Sequence, residues 1–547
     1  MTAVSTQTGT LVEPPVEPGS EIPAFLTRLL AEEGPVERID THVSTVLLAG
    51  DRVLKLKRAV RFPYLDFSTP ERRLAACAAE LAVNRRTAPG LYRGVHRITR
   101  TPDGGLALDG DGPLVDAAVA MRRFPAENLF DRMAGDGRLT PALVTDLAGR
   151  LAAFHAKAEV SRQAGGAAAM ADLVTLNDRS LRTCGLLQDR EVDGLTDRLR
   201  ARLARHADRL DARRREGRVR RCHGDLTLRN ICLFEGVPTP FDALEFDERL
   251  ATIDVLYDLA FVLMDLWHRG RPDLANRLFN RYLDATGEAP DAGLMPFLMA
   301  MRAVIRAHVT ASQITAGQIT AAQATAGDEA AVREARDYLA LARDLLVDRP
   351  SRLVAIGGLS GSGKSTLAAA LAPRLGAPPG ARIVGSDRTR KRLHGVVPLT
   401  RLPPGAYAAA VSEQVYAAMR DEAARVLAGG ASVVLDAVFD RPAEREAVEG
   451  LAASCGVAVQ GLWLQAPLAT LTERVVTRRG DPSDATPAIL AAQARRDCGS
   501  IAWHRLDAGL APERLANEAL WVGTPAAARE AGEGKPTAAS VLDPALA

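Results

Sequence analysis

Apolar and polar positions divide the chain into two stretches of different pattern. In residues 36–60 three short runs, VERID, TVLLA and RVLKLK, are rich in aliphatic and β-branched residues and predict strands. Ala49-Gly50-Asp51 lies between the last two as a hairpin signal. A helical pattern follows over 69–87, and strands return between 106 and 124 as LAL and LVDAAVAM. From Leu139 the pattern is mostly helical. Thr140-Pro141 supplies a hydroxyl cap followed by proline at the first helical position. Short strands are expected at 231–233 and 239–241, and helix again over 255–346.

A boundary is expected at 347–351, where Asp348-Arg349-Pro350 interrupts the helical pattern. Beyond it strands and helices alternate. Strands are predicted at 353–357, 382–385, 432–435 and 457–464, and helices at 364–375, 411–427, 444–455 and 468–478. Such alternation implies a parallel sheet flanked by helices. The domains predicted are therefore 21–347 and 352–525, with a disordered tail over 1–20 and a loose tail over 526–547. The quasi-repeat QITAGQITAAQATAG at 313–327 reads as an Ala/Thr-rich surface helix or loop insertion.

Composition narrows the function. Lys+Arg is 69 against Asp+Glu 67, a net charge of +2 that gives no global attraction to nucleic acid or anionic membrane and disfavours a long polynucleotide substrate. The cysteines Cys77, Cys184, Cys222, Cys232, Cys455 and Cys498 show no CxxC spacing, so free thiols in a reducing compartment are expected rather than a zinc module. The longest apolar run, around 259–267, is broken by Asp265, so no membrane span and a cytoplasmic location are expected.

The densest chemical signal is Gly358-Leu-Ser360-Gly361-Ser362-Gly363-Lys364-Ser365-Thr366, a GxxxxGK[ST] loop between a predicted strand and a predicted helix. Its glycines let backbone N–H groups turn toward phosphate oxygens, and the helix start aims its positive end at the same anion. Lys364 is expected on the β/γ-phosphates and Ser365 on Mg2+. Asp436 ends the apolar run VVLD, where a metal-facing carboxylate is expected. Asp387 follows the preceding strand and could accept a proton from a substrate hydroxyl, with Arg390 one turn on; the alternative for Asp387 is a helix N-cap. Arg474, Arg478 and Arg479 precede Gly480-Asp481-Pro482-Ser483-Asp484 and could form a mobile arginine flap, or a solvated helix end.

On GLSGSGKST, SDRTRKRL, VVLDAVF and ERVVTRRGDPSDA, residues 352–524 resemble the small P-loop kinases of the gluconate kinase, zeta-toxin and polynucleotide 5′-kinase group. The resemblance implies Asp387 as base toward the acceptor hydroxyl, paired with Arg390, and a lid arginine among Arg474, Arg478 and Arg479.

A second phosphotransfer signature lies upstream. His223-Gly-Asp225-Leu-Thr-Leu-Arg-Asn230 puts on one loop a carboxylate to orient a hydroxyl and an amide oxygen for Mg2+. Asp242, after a short strand, is the expected main metal acid, with Glu245 and Asp247 as competing acids. Lys55 and Lys57 alternate along a strand and so share a face; one should bind the α/β-phosphates and pair with Glu80. With these residues and Asp258-Leu-Ala, residues 36–346 resemble the aminoglycoside phosphotransferase-like kinases. That resemblance implies a two-lobed kinase fold, with Asp258 bracing the catalytic loop. Phe154-His155 resembles a family helix motif, with a packed structural histidine expected. Residues 40–45, where that family has a Gly-rich flap, contain no glycine.

The function expected is a bifunctional phosphotransferase using ATP and Mg2+, with small-molecule hydroxyl acceptors. The alternative is a nucleotide-binding regulatory protein with one active P-loop half and one pseudokinase half. A third reading is an ATP-driven switch with no small-molecule acceptor.

Overall fold

A computed structural model describes residues 21–41, 43–62, 65–315 and 326–522. The two expected tails, 1–20 and 526–547, and most of the Ala/Thr-rich repeat lie outside the described residues. The chain packs as two compact units. One comprises residues up to 133 together with 223–251, and the other comprises 134–222 together with 252 onward.

The first unit is built on a six-stranded antiparallel sheet, in the order Glu37–Asp40, Ser44–Ala49, Arg52–Lys57, Leu114–Arg122, Tyr92–Arg100, Leu106–Leu108. Strand alternation gives Arg52–Lys57 two faces. Leu54 and Leu56 pack with Leu47, Ile98 and the Glu21–Leu30 helix. Val53 packs with Cys77, Val119 and Met121 on the other face, which Lys55 and Lys57 share by register. That face meets the Pro70–Asn84 helix, whose first turn is capped by the Thr69 side chain on the Arg72 N–H and opens with proline. The Tyr92–Arg100 strand is absent from the expectation. Its sequence, YRGVHRITR, is polar, and a register shift between Tyr92 and Gly94 breaks the period of two.

The second unit combines a helical segment with a parallel sheet. The sheet order is Arg382–Gly385, Val433–Asp436, Arg352–Gly357, Ala458–Gln465, His504–Asp507, all parallel. The expected alternation is present, with an added edge strand at His504–Asp507 and the helix Ser386–Leu393. The helix expected over 364–375 ends at Leu371 and passes into a 3-10 turn, Ala372–Arg374, at Pro373. Val354, Ile356, Val434, Leu462 and Leu464 form the core beneath the Lys364–Leu371 helix. In a parallel sheet the strands' C-terminal ends share one edge, so Gly357, Gly385 and Asp436 open onto the same crevice.

The expectation that no apolar stretch approaches membrane-spanning length is corrected. Residues Ala289–Ala311 are long and apolar enough, but 72 % of that stretch's apolar window is buried inside the protein. It is apolar because the fold surrounds it.

The helical segment also reaches the parallel sheet. Along the helix Pro272–Thr286, Asn276, Asn280 and Asp284 recur every four residues and so line one face. Asn276 Nδ2 donates to Pro379 O at 2.9 Å and Ala381 O at 3.0 Å. Ile383 N–H donates to Asn280 Oδ1 at 2.7 Å, and Arg382 pairs with Asp284 at 2.7 Å. The helix thus covers the edge strand Arg382–Gly385 with side-chain partners for its backbone.

Candidate functional sites

In the P-loop, Gly358 has φ +135° and Gly361 φ +83°. A Cβ on Gly358 would stand 2.5 Å from Leu464 O, and one on Gly361 2.6 Å from Leu471 O, so no side chain fits at either position. Gly363, at φ +90°, caps the helix opened by Lys364. Lys364 Nζ donates to Leu359 O at 3.0 Å, folding the lysine over its own loop. Ser360 N–H donates to the Gln493 side chain at 3.0 Å, and Ser362 Oγ is buried with no hydrogen-bond partner among the described residues. Ser365 Oγ donates to Asp436 Oδ2 at 2.6 Å. Thr366 follows in the same helix.

Lys364 and Asp387 are half-buried beside this loop, and Asp436 is buried. Burial pushes Lys364 below the ordinary lysine value, against the pull of Asp436 and Asp387. Burial likewise pushes Asp387 and Asp436 above the usual carboxylate range, with Lys364 opposing. Asp387 sits in the first turn of Ser386–Leu393, and the N-cap is Gly385, so the capping alternative for Asp387 does not hold.

Arg390 keeps its charge near Asp387, which it helps to hold down, while its guanidinium bonds elsewhere, and the three arginines expected in the flap diverge. Arg390 is buried, donates to Ala406 O at 2.6 Å and lies over the Tyr407 ring at 4.7 Å. It holds the turn Pro404–Tyr407 in place. Arg474 donates to Ala508 O at 3.0 Å, and Arg479 bonds carbonyls of its own segment, Val476 and Arg478. Arg478 faces the flap, donating to Ser483 O at 3.3 Å, and its charge is felt at Lys364. The flap is tied to the Asp387 helix by Asp484, which accepts from Lys391 and, at 2.6 Å, from Tyr407 Oη. Asp484 and Lys391 were legible only as members of the runs ERVVTRRGDPSDA and SDRTRKRL, and Tyr407 carried no sequence signal.

Beside the loop lies a cavity of about 280 Å3, lined in part by Leu359, Trp463, Gln493, Arg496 and Arg505. It is large enough for the heterocycle of a nucleotide, and it connects through Leu359 and Gln493 to the phosphate cradle.

In the first unit the expected lysine–glutamate pair is doubled. Lys55 Nζ lies 2.9 Å from Glu80 Oε1, and Lys57 Nζ 2.5 Å from Glu80 Oε2. Asp242 Oδ1 takes Lys55 at 2.5 Å and Glu245 Oε1 takes Lys57 at 2.5 Å. Asp247 turns away to Arg249, which separates the three competing acids. Asp242 adopts φ +59°, and its N–H donates to Tyr92 Oη at 3.3 Å. Burial would push the Asp242 carboxyl up, but Lys55 and Lys57 outweigh it and hold it below the ordinary value. Burial opposes the Lys55 charge as well, yet Asp242 and Glu80 raise it well above the usual lysine value. Lys55 and Asp242 are thus held charged, whereas burial raises the Glu245 carboxyl.

The loop with Asp225 and Asn230 is knitted to the Asp242 segment. Phe241 N–H donates to Asn230 O at 2.9 Å, and Leu244 N–H to His223 O at 2.9 Å. Asn230 Nδ2 donates to Asp225 Oδ2 at 2.8 Å and to Asp225 O at 2.9 Å, leaving its amide oxygen oriented away from that bond. In the glycine-free segment 40–45, His42 lies outside the described residues; on either side of it the strands Glu37–Asp40 and Ser44–Ala49 pair, Thr45 Oγ1 donates to Asp40 Oδ1 at 2.6 Å, and Ser44 N–H to Thr41 Oγ1 at 3.0 Å. In the second unit His155 is the packed residue expected, bonded to Asp258 at 3.1 Å and Tyr282 Oη at 2.8 Å.

Residues 43–294 match the family model of the phosphotransferase enzyme family, and residues 353–496 match that of an AAA domain. An uncharacterized protein of Mycobacterium tuberculosis is 31% identical over 506 residues, spanning 90% of this chain and 96% of its own. An uncharacterized protein of Mycobacterium bovis aligns to the same extent. Among solved structures, a choline/ethanolamine kinase family protein from Mesorhizobium loti aligns at 15% identity and TM-score 0.34, over 59% of this chain and 99% of its own. The Mycobacterium tuberculosis APS kinase, solved with AMPPNP and APS, aligns at 20% identity and TM-score 0.24, over 31% of this chain and 96% of its own.

Proposed function

The chain belongs to the family of the uncharacterized Mycobacterium proteins that it matches almost end to end, and it carries both a phosphotransferase-family region and an AAA-domain region; we propose that it is a bifunctional phosphotransferase moving the γ-phosphate of ATP to hydroxyls of small molecules at two sites. The observation that carries this reading is the Ser365–Asp436 hydrogen bond at the foot of a fully formed phosphate loop. A hydroxyl and a strand-end carboxylate held together there are the donor set of a Mg2+ site, and the orphaned Ser362 Oγ and glycine-only cradle fit the phosphates.

At the P-loop site, Lys364 and the backbone N–H groups bind the phosphate chain, and the 280 Å3 cavity takes the base. Asp387 orients the acceptor hydroxyl and takes its proton; its raised pKa makes it a better base than a solvated aspartate. Arg478 is the lid arginine. At the other site, Lys55 holds the α/β-phosphates, Asp225 takes the acceptor proton, and Asn230 and Asp242 would hold Mg2+. In both sites the metal would neutralise charge developing on the phosphate oxygens.

The glycine-free segment 40–45, with its Thr45–Asp40 bond, favours a second reading in which the first site binds nucleotide without transfer. A transfer screen with [γ-32P]ATP over hydroxyl metabolites separates the two. Labelled product from wild type that is lost in Asp225→Asn but kept in Lys364→Ala supports activity of the first site. If every labelled product depends on Lys364 alone, the bifunctional reading fails.

A further inference from the structure

Between the Pro272–Thr286 helix and the helix carrying Asp387 lies a cavity of about 220 Å3. Asp284, Arg382, Arg388, Thr389 and Arg392 line it, with Val396 and Pro398 among the remaining wall. Three guanidinium groups converge on Asp284: Arg382 at 2.7 Å, Arg281 at 2.8 Å and Arg388 at 3.5 Å. Arg382 and Arg392 also share Glu422, at 2.8 and 2.6 Å. Four arginines therefore face two carboxylates, an excess of two positive charges. Lys391 adds none, because Asp484 neutralises it.

The excess is not absorbed by the protein. Arg281 stands behind Asp284 rather than on the wall, and its Nε and Nη1, with Asp284 Oδ2, are buried without a hydrogen-bond partner among the described residues. Burial pushes Arg281 down to about 10, and it lowers Arg388 too, Asp284 compensating only in part. A buried donor left unpaired is costly, and a ligand that accepts from several guanidinium forks relieves it. The ATP cradle does not account for these residues, since none of them belongs to the P-loop.

We propose that this cavity binds a small phosphomonoester dianion, separate from both nucleotide sites. The charge matches: two negative charges against two positive in excess. The geometry matches, since planar guanidinium groups recognise phosphate oxygens in pairs. The volume lies below the roughly 300 Å3 at which pockets for drug-sized ligands begin, so a compact phosphomonoester suits it better than a nucleotide. Val396 and Pro398 offer apolar wall to a short carbon skeleton. Gly385, Arg388 and Thr389 flank Asp387 on its own segment, so the ligand fixes the position of the proposed base.

The test uses the full chain carrying Lys364→Ala, which weakens phosphate binding at the P-loop by taking away its side-chain cation. Calorimetric titrations with inorganic phosphate and with glycerol 3-phosphate are compared before and after adding Arg388→Gln and Arg392→Gln. These side chains are 28% and 42% exposed, so both changes fall at the cavity rim, and melting temperature confirms folding. Saturable binding that prefers glycerol 3-phosphate, weakened about tenfold or more by the two substitutions, is expected. Arg388→Lys alone, which keeps charge and loses the fork, should weaken it less. Should the double substitution lower folding, Arg388→Gln alone is read instead. No saturable binding, binding indifferent to the arginines, or inorganic phosphate binding as tightly as glycerol 3-phosphate would overturn the proposal.

Discussion

Ser365 Oγ stands 2.6 Å from Asp436 Oδ2, joining the first turn of the phosphate-loop helix to the end of the neighbouring strand. The bond is available because Lys364–Leu371 starts at the C-terminal edge of a parallel sheet, where Val433–Asp436 also ends. Ser365→Ala should leave the unfolding free energy within about 1 kcal/mol of wild type and weaken Mg-dependent nucleotide binding at this site about tenfold or more. Equal nucleotide affinity with and without Mg2+ in both proteins would remove the metal role.

Lys364→Ala takes the side-chain cation out of a cradle whose backbone remains. Nucleotide stoichiometry by calorimetry should fall from about two per chain to about one. A wild-type stoichiometry of one, with Lys364→Ala silencing transfer that depends on Asp225, would point to one composite site instead.

Asp225 and Asp242 should separate in kinetics. Asp225→Asn keeps shape and loses the proton acceptor, so Mg·ATP binding survives and transfer falls about 100-fold or more. Asp242→Asn removes the acid paired with Lys55, so metal-dependent nucleotide affinity falls first. Equal loss of affinity in both variants would mean that the two acids are misassigned.

The pH dependence of the P-loop site follows from Asp387, whose carboxyl burial raises above the usual range. A base must be deprotonated, so transfer should fall about tenfold per pH unit below that raised value, beginning at higher pH than for a solvated aspartate. The stability effect has the opposite sense. A raised folded-state pKa stabilises below the unfolded value and that contribution is lost as pH rises through the folded one. Activity should therefore decline on mild acidification without unfolding by this group. A transfer profile flat down to the ordinary aspartate range would contradict the assignment.

Asn280 couples the helical segment to the parallel sheet through Ile383 N–H and Ala381 O. Asn280→Ala removes the partner of the Ile383 N–H, while Ala381 O keeps the bond from Asn276 Nδ2, and should destabilise the second unit by about 1–3 kcal/mol in denaturant titration. A change under about 0.5 kcal/mol would mean that these bonds are replaced by solvent.

Local chemistry was legible in the chain: a loop in which only glycine fits at Gly358 and Gly361, an H-x-D loop, and lysines alternating on one strand face all carry their meaning in spacing. The alternation of strand and helix beyond residue 351 likewise forces a parallel sheet, because short connections leave no other way to bury both faces. Long-range pairing was not legible. That Glu80 serves both lysines, that Glu245 rather than Asp247 joins them, and that Arg390 braces Ala406 depend on side chains brought together from distant positions. The Val347–Ser351 segment reads as a boundary because sequence pattern reports backbone periodicity alone. The Asn276–Asn280–Asp284 face that crosses from the helical segment to the Arg382–Gly385 strand exists only once the tertiary fold sets helix against sheet edge.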